Sequence, residues 1–380
     1  MTRVLHIITG LGHGGAERQL ALLLRHMPPH RVESEVAVLT CTGPIGEDVK
    51  AEGVPVHEVG MRSNRDLGAL PRLVQLIRRG RYDVVHTHLY RACVFGRIAA
   101  HLAGAPLIVA TEHSLGDGHI EGRRTTRGVR MLYMATERLG AATVAVSPTV
   151  ARRLLAWGVR PERLVSIPNC VDVSAFAFDR TRRVAARQAL GVEPDEFVIG
   201  TAGRLVPTKR IDLLLQAFAG MDGWARTWLL IVGDGPERPA LENLAWRLGV
   251  AGRVVFAGET TGVAGMLAAM DAYAAPSTQE TFGVGVLEAL VSGLPVLYTT
   301  CPALDDLPSR LSPGARRLPT EAAAWSWALG DLERHGHFRL PLPPVARHYS
   351  AESHAARLVD LYRDGPAAVR PATGGVLATT

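Results

Sequence analysis

Apolar residues gather in short β-branched runs separated by amphipathic stretches, and this alternation persists over most of the chain. In the first half the runs are VLHII (4–8), VAVLT (36–40), DVVHTH (83–88), LIVAT (107–111) and TVAVS (143–147). Between them, 17–26 and 70–79 place apolar residues at helical spacing. Apolar runs alternating with amphipathic helices predict a parallel sheet flanked by helices. Ser147 followed by Pro148 reads as the N-cap and first position of a helix continuing to about Trp157.

The pattern then restarts. After IPNCVD (167–172) and a polar connection over 179–187 come FVIGTAG (197–203), WLLIVG (228–233), VVFAG (254–258), AYAAPS (272–277) and PVLYTT (295–300). Two successive βα series predict two similar α/β domains, one over 1–180 and one over 181–345. A late helix is expected over 346–365, and a Pro-, Gly-, Ala- and Thr-rich tail over 366–380 that reads as disordered. The length, 380 residues, agrees: it exceeds what one hydrophobic core usually serves.

Composition narrows the setting. Cys41, Cys93, Cys170 and Cys301 form no CxxC pair and no metal-ligand spacing, which fits a reducing, cytoplasmic compartment. The short apolar run at 1–10 is followed at once by Gly12, Gly14, Gly15, Glu17 and Arg18, which ends a signal-peptide reading. No apolar run approaches the roughly 18 residues of a membrane span. The formal net charge is +6, and the basic residues are nearly all arginine, with lysine only at Lys50 and Lys209. Arginines cluster at Arg78, Arg79 and Arg81 and at Arg123, Arg124, Arg127 and Arg130. Such clusters suit a solvated face, an anionic acceptor or peripheral contact with the inner face of a membrane. No basic stripe is interleaved with aromatics, which argues against nucleic acid as a partner.

Three segments carry candidate chemistry. GLGHGGAER (10–18) follows the first strand and opens a helix, so its glycines let a ligand approach the backbone and helix-terminal amides. Gly10, Gly12 and Gly15 match the dinucleotide spacing GxGxxG, but VAVLTCTG ends the second strand without the acid that would hold a ribose. A purely structural turn is the other reading of this segment. In GRLVPTKRIDLLLQAF (203–218), Arg204 at a strand end and Lys209 at a helix start would offer a guanidinium fork and an ammonium to a pyrophosphate. In PSTQETFGVGVLEAL (276–290), Glu280 falls in a strand-to-helix loop and Glu288 on the helix that Gly283 and Gly285 introduce. Each carboxylate can accept hydrogen bonds from vicinal hydroxyls, one from a sugar and one from a ribose. His86 and His88 share a strand face, which invites a zinc reading, but with no further ligand in view the pair reads as strand-end residues lining the cleft or satisfying buried polar groups.

The ordered set GLGHGGAER, TEHS (111–114), SIPNCVD, GRLVPTK, IVGDGPE and ETFGVGVLE resembles the retaining glycosyltransferases of family GT4 over nearly the whole chain. The resemblance implies the GT-B fold, two Rossmann-like βαβ domains facing each other across a cleft. The acceptor would bind mainly to the first domain and the donor mainly to the second, and the last helix would cross back to the first. It implies that Arg204 and Lys209 hold a diphosphate, Glu280 the donor-sugar hydroxyls and Glu288 the ribose. Thr281, Phe282 and Gly283 complete the donor loop, Gly14 and Gly15 present amides to the phosphate, and His113 lies beside the transferred sugar. By its residues alone, His113 is equally a packed or capping histidine. Two departures stand out: Cys170 where the family usually has glycine, and CPALDD (301–306) in place of a glycine-rich, glutamate-containing turn. No DxD is present, so no metal and no cofactor is expected.

The resulting expectation is transfer of a hexose or hexosamine from a UDP- or GDP-sugar to a hydroxyl acceptor. The acceptor would be a growing polysaccharide or lipid-linked glycan, or else a small secondary metabolite. A nucleotide-sugar epimerase and a catalytically silent sugar-nucleotide-binding partner are the competing readings.

Overall fold

A computed structural model describes residues 1–369 apart from His13, Arg65, Gly122 and Gly223. The chain divides into two compact units, the first made of Met1–Cys170 with the segment from Ala351 onward, the second of Val171–Ser350.

The first unit is built on seven parallel strands: β1 (Thr2–Ile8), β2 (Val32–Val38), β3 (Val56–Glu58), β4 (Val84–His88), β5 (Leu107–Glu112), β6 (Ala142–Ala145) and β7 (Leu164–Ser166). Their order is β3-β2-β1-β4-β5-β6-β7. The second unit has six: β8 (Phe197–Ala202), β9 (Thr227–Val232), β10 (Val254–Gly258), β11 (Ala272–Ala275), β12 (Val296–Tyr298) and β13 (Ala315–Arg317), ordered β10-β9-β8-β11-β12-β13. Each sheet is doubly wound, with apolar clusters on both faces. In both, the winding reverses beside the first strand, between β1 and β4 and between β8 and β11. That reversal is where the loops at the carboxyl ends of the strands part and leave room for a ligand.

Ser147 caps the helix Pro148–Trp157 as expected, accepting from Val150 N at 3.1 Å. The edge strands β3, β7 and β13 are three residues each, too short to carry a period. The polar stretch expected to be a connection is instead a helix, Arg180–Leu190, capped by Asp179. Its sequence hid this because its inward side is cationic: Arg183 and Arg187, one turn apart, both bond to the buried Asp271, at 2.6 and 3.2 Å.

The division also differs from the expected boundaries after residues 180 and 345. Val171 pairs with Ser350 in a parallel bridge, and Val171 N donates to Tyr349 O at 2.9 Å, so the chain crosses between units on both sides of this one pairing. The short helix Pro344–His348 therefore belongs to the second unit, and the helix Ala351–Asp364 to the first. Of the segment expected to be disordered, Pro366–Val369 is helical with Val369 buried, while 370–380 lies outside the described residues. Arg78 and Arg130 act locally as C-terminal caps, donating to Leu102 O and to Ala156 O and Trp157 O. Among the described residues, no helix is long and apolar enough to cross a membrane.

Candidate active site

In the second unit, the segments that follow β8 and β11 meet at the winding reversal. Lys209 ends a 3-10 turn, Pro207–Lys209, and the helix Ile211–Ala219 begins after Arg210, which is left-handed at φ 52°. Thr278 N donates to Thr208 O at 2.9 Å, tying the two loops together, and Lys209 Nζ lies 2.5 Å from Glu280 Oε1. The carboxylate thus holds the ammonium in one place at the mouth of the β8 loop. The Arg204 side chain is exposed and, among the described residues, makes no hydrogen bond or ion pair, so its fork is free for an anion. The loop is held from behind by the segment after β9. There a Cβ on Gly233 would come 2.1 Å from Gly203 O, a backbone approach that only glycine permits.

Glu288 is buried on the helix Val284–Val291. Next to it the Tyr273 hydroxyl accepts from Ala202 N at 3.3 Å and donates to Ala202 O at 3.1 Å, pinning the end of β8. Burial first, and then the carboxylates of Glu288 and Glu280, push the Tyr273 phenol up, so it stays a neutral donor. Gly283 starts the helix at φ 97°, and a Cβ there would lie 2.5 Å from Cys301 Sγ. The Phe282 side chain is core, packed edge-on against Tyr349 with centroids 5.0 Å apart, so its backbone is what the loop presents. CPALDD forms the short helix Pro302–Asp305, whose first turn closes on itself through Asp305 Oδ2 and Cys301 N, 3.0 Å apart.

In the first unit, Gly14 and Gly15 are exposed at the start of the helix Gly15–His26. Glu17, at the third helical position, folds its carboxylate back over them: a Cβ on Gly14 would meet Glu17 Oε2 at 2.1 Å. Burial raises the Glu17 carboxyl, while its own backbone N–H and Arg18 draw it the other way. An anion reaching these amides would have to displace that side chain. Cys170 fits without a left-handed backbone, and the Gln19 amide pairs with its N–H and C=O at 2.9 and 2.8 Å.

His113 is buried at the end of β5, with its Nε2 3.2 Å from His88 Nδ1. His88 Nε2 is in turn 3.2 Å from His6 Nδ1, and His86 bonds Tyr362 and Thr111 at 2.6 and 2.7 Å. Beside His86 and His88 the fold supplies a third ring, His6: ligand-type nitrogens of His6, His86 and His88 all lie within 4.8 Å of one another. His6 was findable, since VLHII puts it at mid-strand and His6 is in register with His86. Tyr362 and Tyr273 carried no comparable signal. Glu112, beside His113, has its carboxyl pushed up to about 7 by burial.

Residues 13–175 match the family model described as Glycosyltransferase Family 4, and 183–334 match that of Glycosyl transferases group 1. A D-inositol 3-phosphate glycosyltransferase of Saccharomonospora viridis is 30% identical over 322 residues, covering 77% of this chain and 72% of the relative. The chain belongs to this glycosyltransferase family. Within the family, the glycosyltransferase is also 27% identical to the UDP-Gal:alpha-D-GlcNAc-diphosphoundecaprenol alpha-1,3-galactosyltransferase of Escherichia coli, covering 67% of each chain. Among solved structures, Anabaena HepE in complex with UDP and glucose superposes with a TM-score of 0.77 at 22% identity, covering 96% of this chain and 97% of that one. This likeness extends the family's two-domain GT-B fold to the chain.

Proposed function

We propose that this glycosyltransferase moves a hexose or hexosamine from a nucleotide diphosphate sugar to a hydroxyl acceptor, with retention of anomeric configuration and without a metal. The observation that carries the proposal is the pairing of Lys209 with Glu280 at 2.5 Å beside the unengaged Arg204, at the winding reversal of the second unit. One end of this group is cationic and the other anionic. A diphosphate would take Arg204 and Lys209, and the hydroxyls of the attached sugar would take Glu280. Negative charge develops on the departing diphosphate, so the two cations act where the barrier is set. Glu288 would hold the ribose, the backbone of Thr281, Phe282 and Gly283 would line the donor, Gly14 and Gly15 would give amides to phosphate, and His113 would stand beside the transferred sugar.

UDP is favoured as the nucleotide because the galactosyltransferase relative is named for UDP-Gal and the HepE structure holds UDP. Both relatives are named for phosphorylated acceptors, which supports an anionic acceptor, and the exposed Arg124 and Arg127 would suit one. The lipid-linked acceptor named for the galactosyltransferase relative supports a role in polysaccharide or glycoconjugate synthesis.

The test is binding and turnover of a panel of nucleotide sugars by the parent, Lys209→Ala and Glu288→Ala. One donor should bind tightly, and each substitution should weaken it about tenfold or more while the chain stays folded. If no nucleotide sugar binds, or both variants match the parent, the assignment of these residues is wrong.

A further inference from the structure

The helix Arg127–Glu137 of the first unit is capped by Thr126, whose side chain accepts from Val129 N at 3.3 Å. Its inner side is fixed by Tyr133, Thr136 and Glu137, all buried. Tyr133 lies under the Arg97 guanidinium, 4.8 Å from the ring centroid, and meets Trp157 edge-on with centroids 5.4 Å apart. The outer side is of another kind. Met131 is 72% exposed and Leu132 46%, and they are the one pair of chain neighbours among the exposed large apolar side chains of the described residues. Arg127 stands one turn before Met131 and Arg138 two turns after it, at helical spacing, and both are exposed. Arg124, also exposed, belongs to the short antiparallel strand pair that leads into the helix.

Four carboxylates occur between residues 111 and 140, and each is engaged elsewhere. Glu112 and Glu137 are buried, Asp117 pairs with Arg153 at 3.0 Å, and Glu121 accepts from Tyr90 N. The guanidinium groups of Arg124, Arg127 and Arg138 make no hydrogen bond or ion pair among the described residues. Arg130 differs, since its donation to Ala156 O and Trp157 O holds the helix down. The helix Arg180–Leu190 makes the opposite choice and turns Arg183 and Arg187 inward onto Asp271. Two exposed apolar side chains by themselves would be ordinary. Framed by unpaired arginines on one helix, they match a surface that is anionic outside and apolar beneath.

We propose that the outer side of the helix Arg127–Glu137, together with Arg124, docks the first unit on an anionic phospholipid bilayer. Met131 and Leu132 enter the boundary between headgroups and acyl chains, while Arg124, Arg127 and Arg138 lay their stems along it and bond phosphate oxygens. The helix lies in the plane of the surface. A phosphorylated acceptor offers the arginines the same chemistry as a lipid headgroup, but a free phosphate gives Met131 and Leu132 nothing to bury against, so the apolar pair favours the bilayer. The inference stands on this surface and does not depend on the transfer reaction proposed above.

The experiment is cosedimentation of the intact chain with vesicles of phosphatidylcholine alone and of equal parts phosphatidylcholine and phosphatidylglycerol, at about 0.1 M salt. The chain should bind the mixed vesicles and leave the neutral ones. Arg127→Glu should weaken that binding about fivefold or more, whereas Arg310→Glu, an equal change of net charge at an exposed arginine of the second unit, should change it less than about twofold. Met131→Ser combined with Leu132→Ser leaves the net charge and the buried side of the helix untouched. It should weaken vesicle binding about threefold or more, with nucleotide-sugar binding at the parental level. The proposal is overturned if the parent binds neither vesicle or both equally, or if the Arg127 and Met131–Leu132 variants lose no more than Arg310→Glu. Inorganic phosphate that releases the chain from mixed vesicles, where chloride of the same ionic strength does not, would assign the arginines to a soluble anion and overturn it. A vesicle-free dimer that the Met131–Leu132 variant dissociates would assign the face to a second copy and overturn it as well. Donor binding without vesicle binding would remove this surface and leave the proposed transfer standing, and the reverse result would do the opposite.

Discussion

Gly283 is the residue on which the donor loop turns. Its φ of 97° is left-handed and its missing Cβ leaves room for Cys301 Sγ, so Gly283→Ala meets two penalties at once. The expected loss is about 1–3 kcal/mol of stability from the backbone, with contact strain added. Pairing the change with Cys301→Ala should relieve the contact but not the backbone, so urea midpoints should show partial recovery. Full recovery would mean the backbone conformation costs nothing. Tyr273 makes a gentler test. Tyr273→Phe removes the hydroxyl that both accepts from and donates to Ala202, and should cost about 1 kcal/mol. Such residues were invisible beforehand because a tyrosine in AYAAPS is an ordinary strand residue until the fold brings β8 beside it.

At the scale of elements, two helices show how polar side chains replace apolar periodicity. Arg180–Leu190 docks through Arg183 and Arg187 on Asp271, which is also bonded by Val198 N at 2.9 Å and lies 3.0 Å from His337. Burial would raise the Asp271 carboxyl, but Arg183, the His337 contact and the Val198 N–H together lower it. Asp271→Asn would leave two guanidinium groups without their anion, a loss of about 3–5 kcal/mol expected in the unfolding of the second unit. A loss below about 1 kcal/mol would show that water already screens the cluster. The helix Ala351–Asp364 is anchored along one side by His354 on Pro168 O, Arg357 on Ser166 O and Tyr362 on His86, at 2.6, 2.7 and 2.6 Å. These positions follow helical spacing, so its amphipathic pattern was readable, although its partners were not.

For the molecule as a whole, the histidines set the response to acid. His6 and His113 stay neutral to about pH 3 and His354 to about pH 4, because burial opposes their charging. In the unfolded chain each gains a proton below about pH 6.5. The unfolded state then holds more protons, so stability is full above about pH 6.5 and falls as pH drops, by about 1.4 kcal/mol per pH unit for each such histidine. Glu112 has the opposite sign. Its carboxyl, pushed up to about 7, contributes stability below about pH 4.3 that is lost as pH rises through 7, offsetting about one histidine. Urea midpoints measured at about pH 7.5 and about pH 5.5 should therefore fall toward acid. Equal midpoints would mean that the histidines are hydrated in solution.

The sequence by itself determined that there are two βα series, where most of their strands run, and which loops carry arginine, lysine, glutamate and glycine, because apolar runs and turn residues are local signals. It also carried the family resemblance, since motif order survives when each motif alone is weak. Only the tertiary structure decided that the units part at the Val171–Ser350 pairing and that Arg180–Leu190 is a docked helix. It likewise decided that Lys209 meets Glu280 and that His6 joins His88 and His113. Each of these joins residues distant along the chain through single polar contacts. A contact of that kind leaves no period in the sequence, and only the packing of parallel strands and their crossovers brings its two ends within bonding distance.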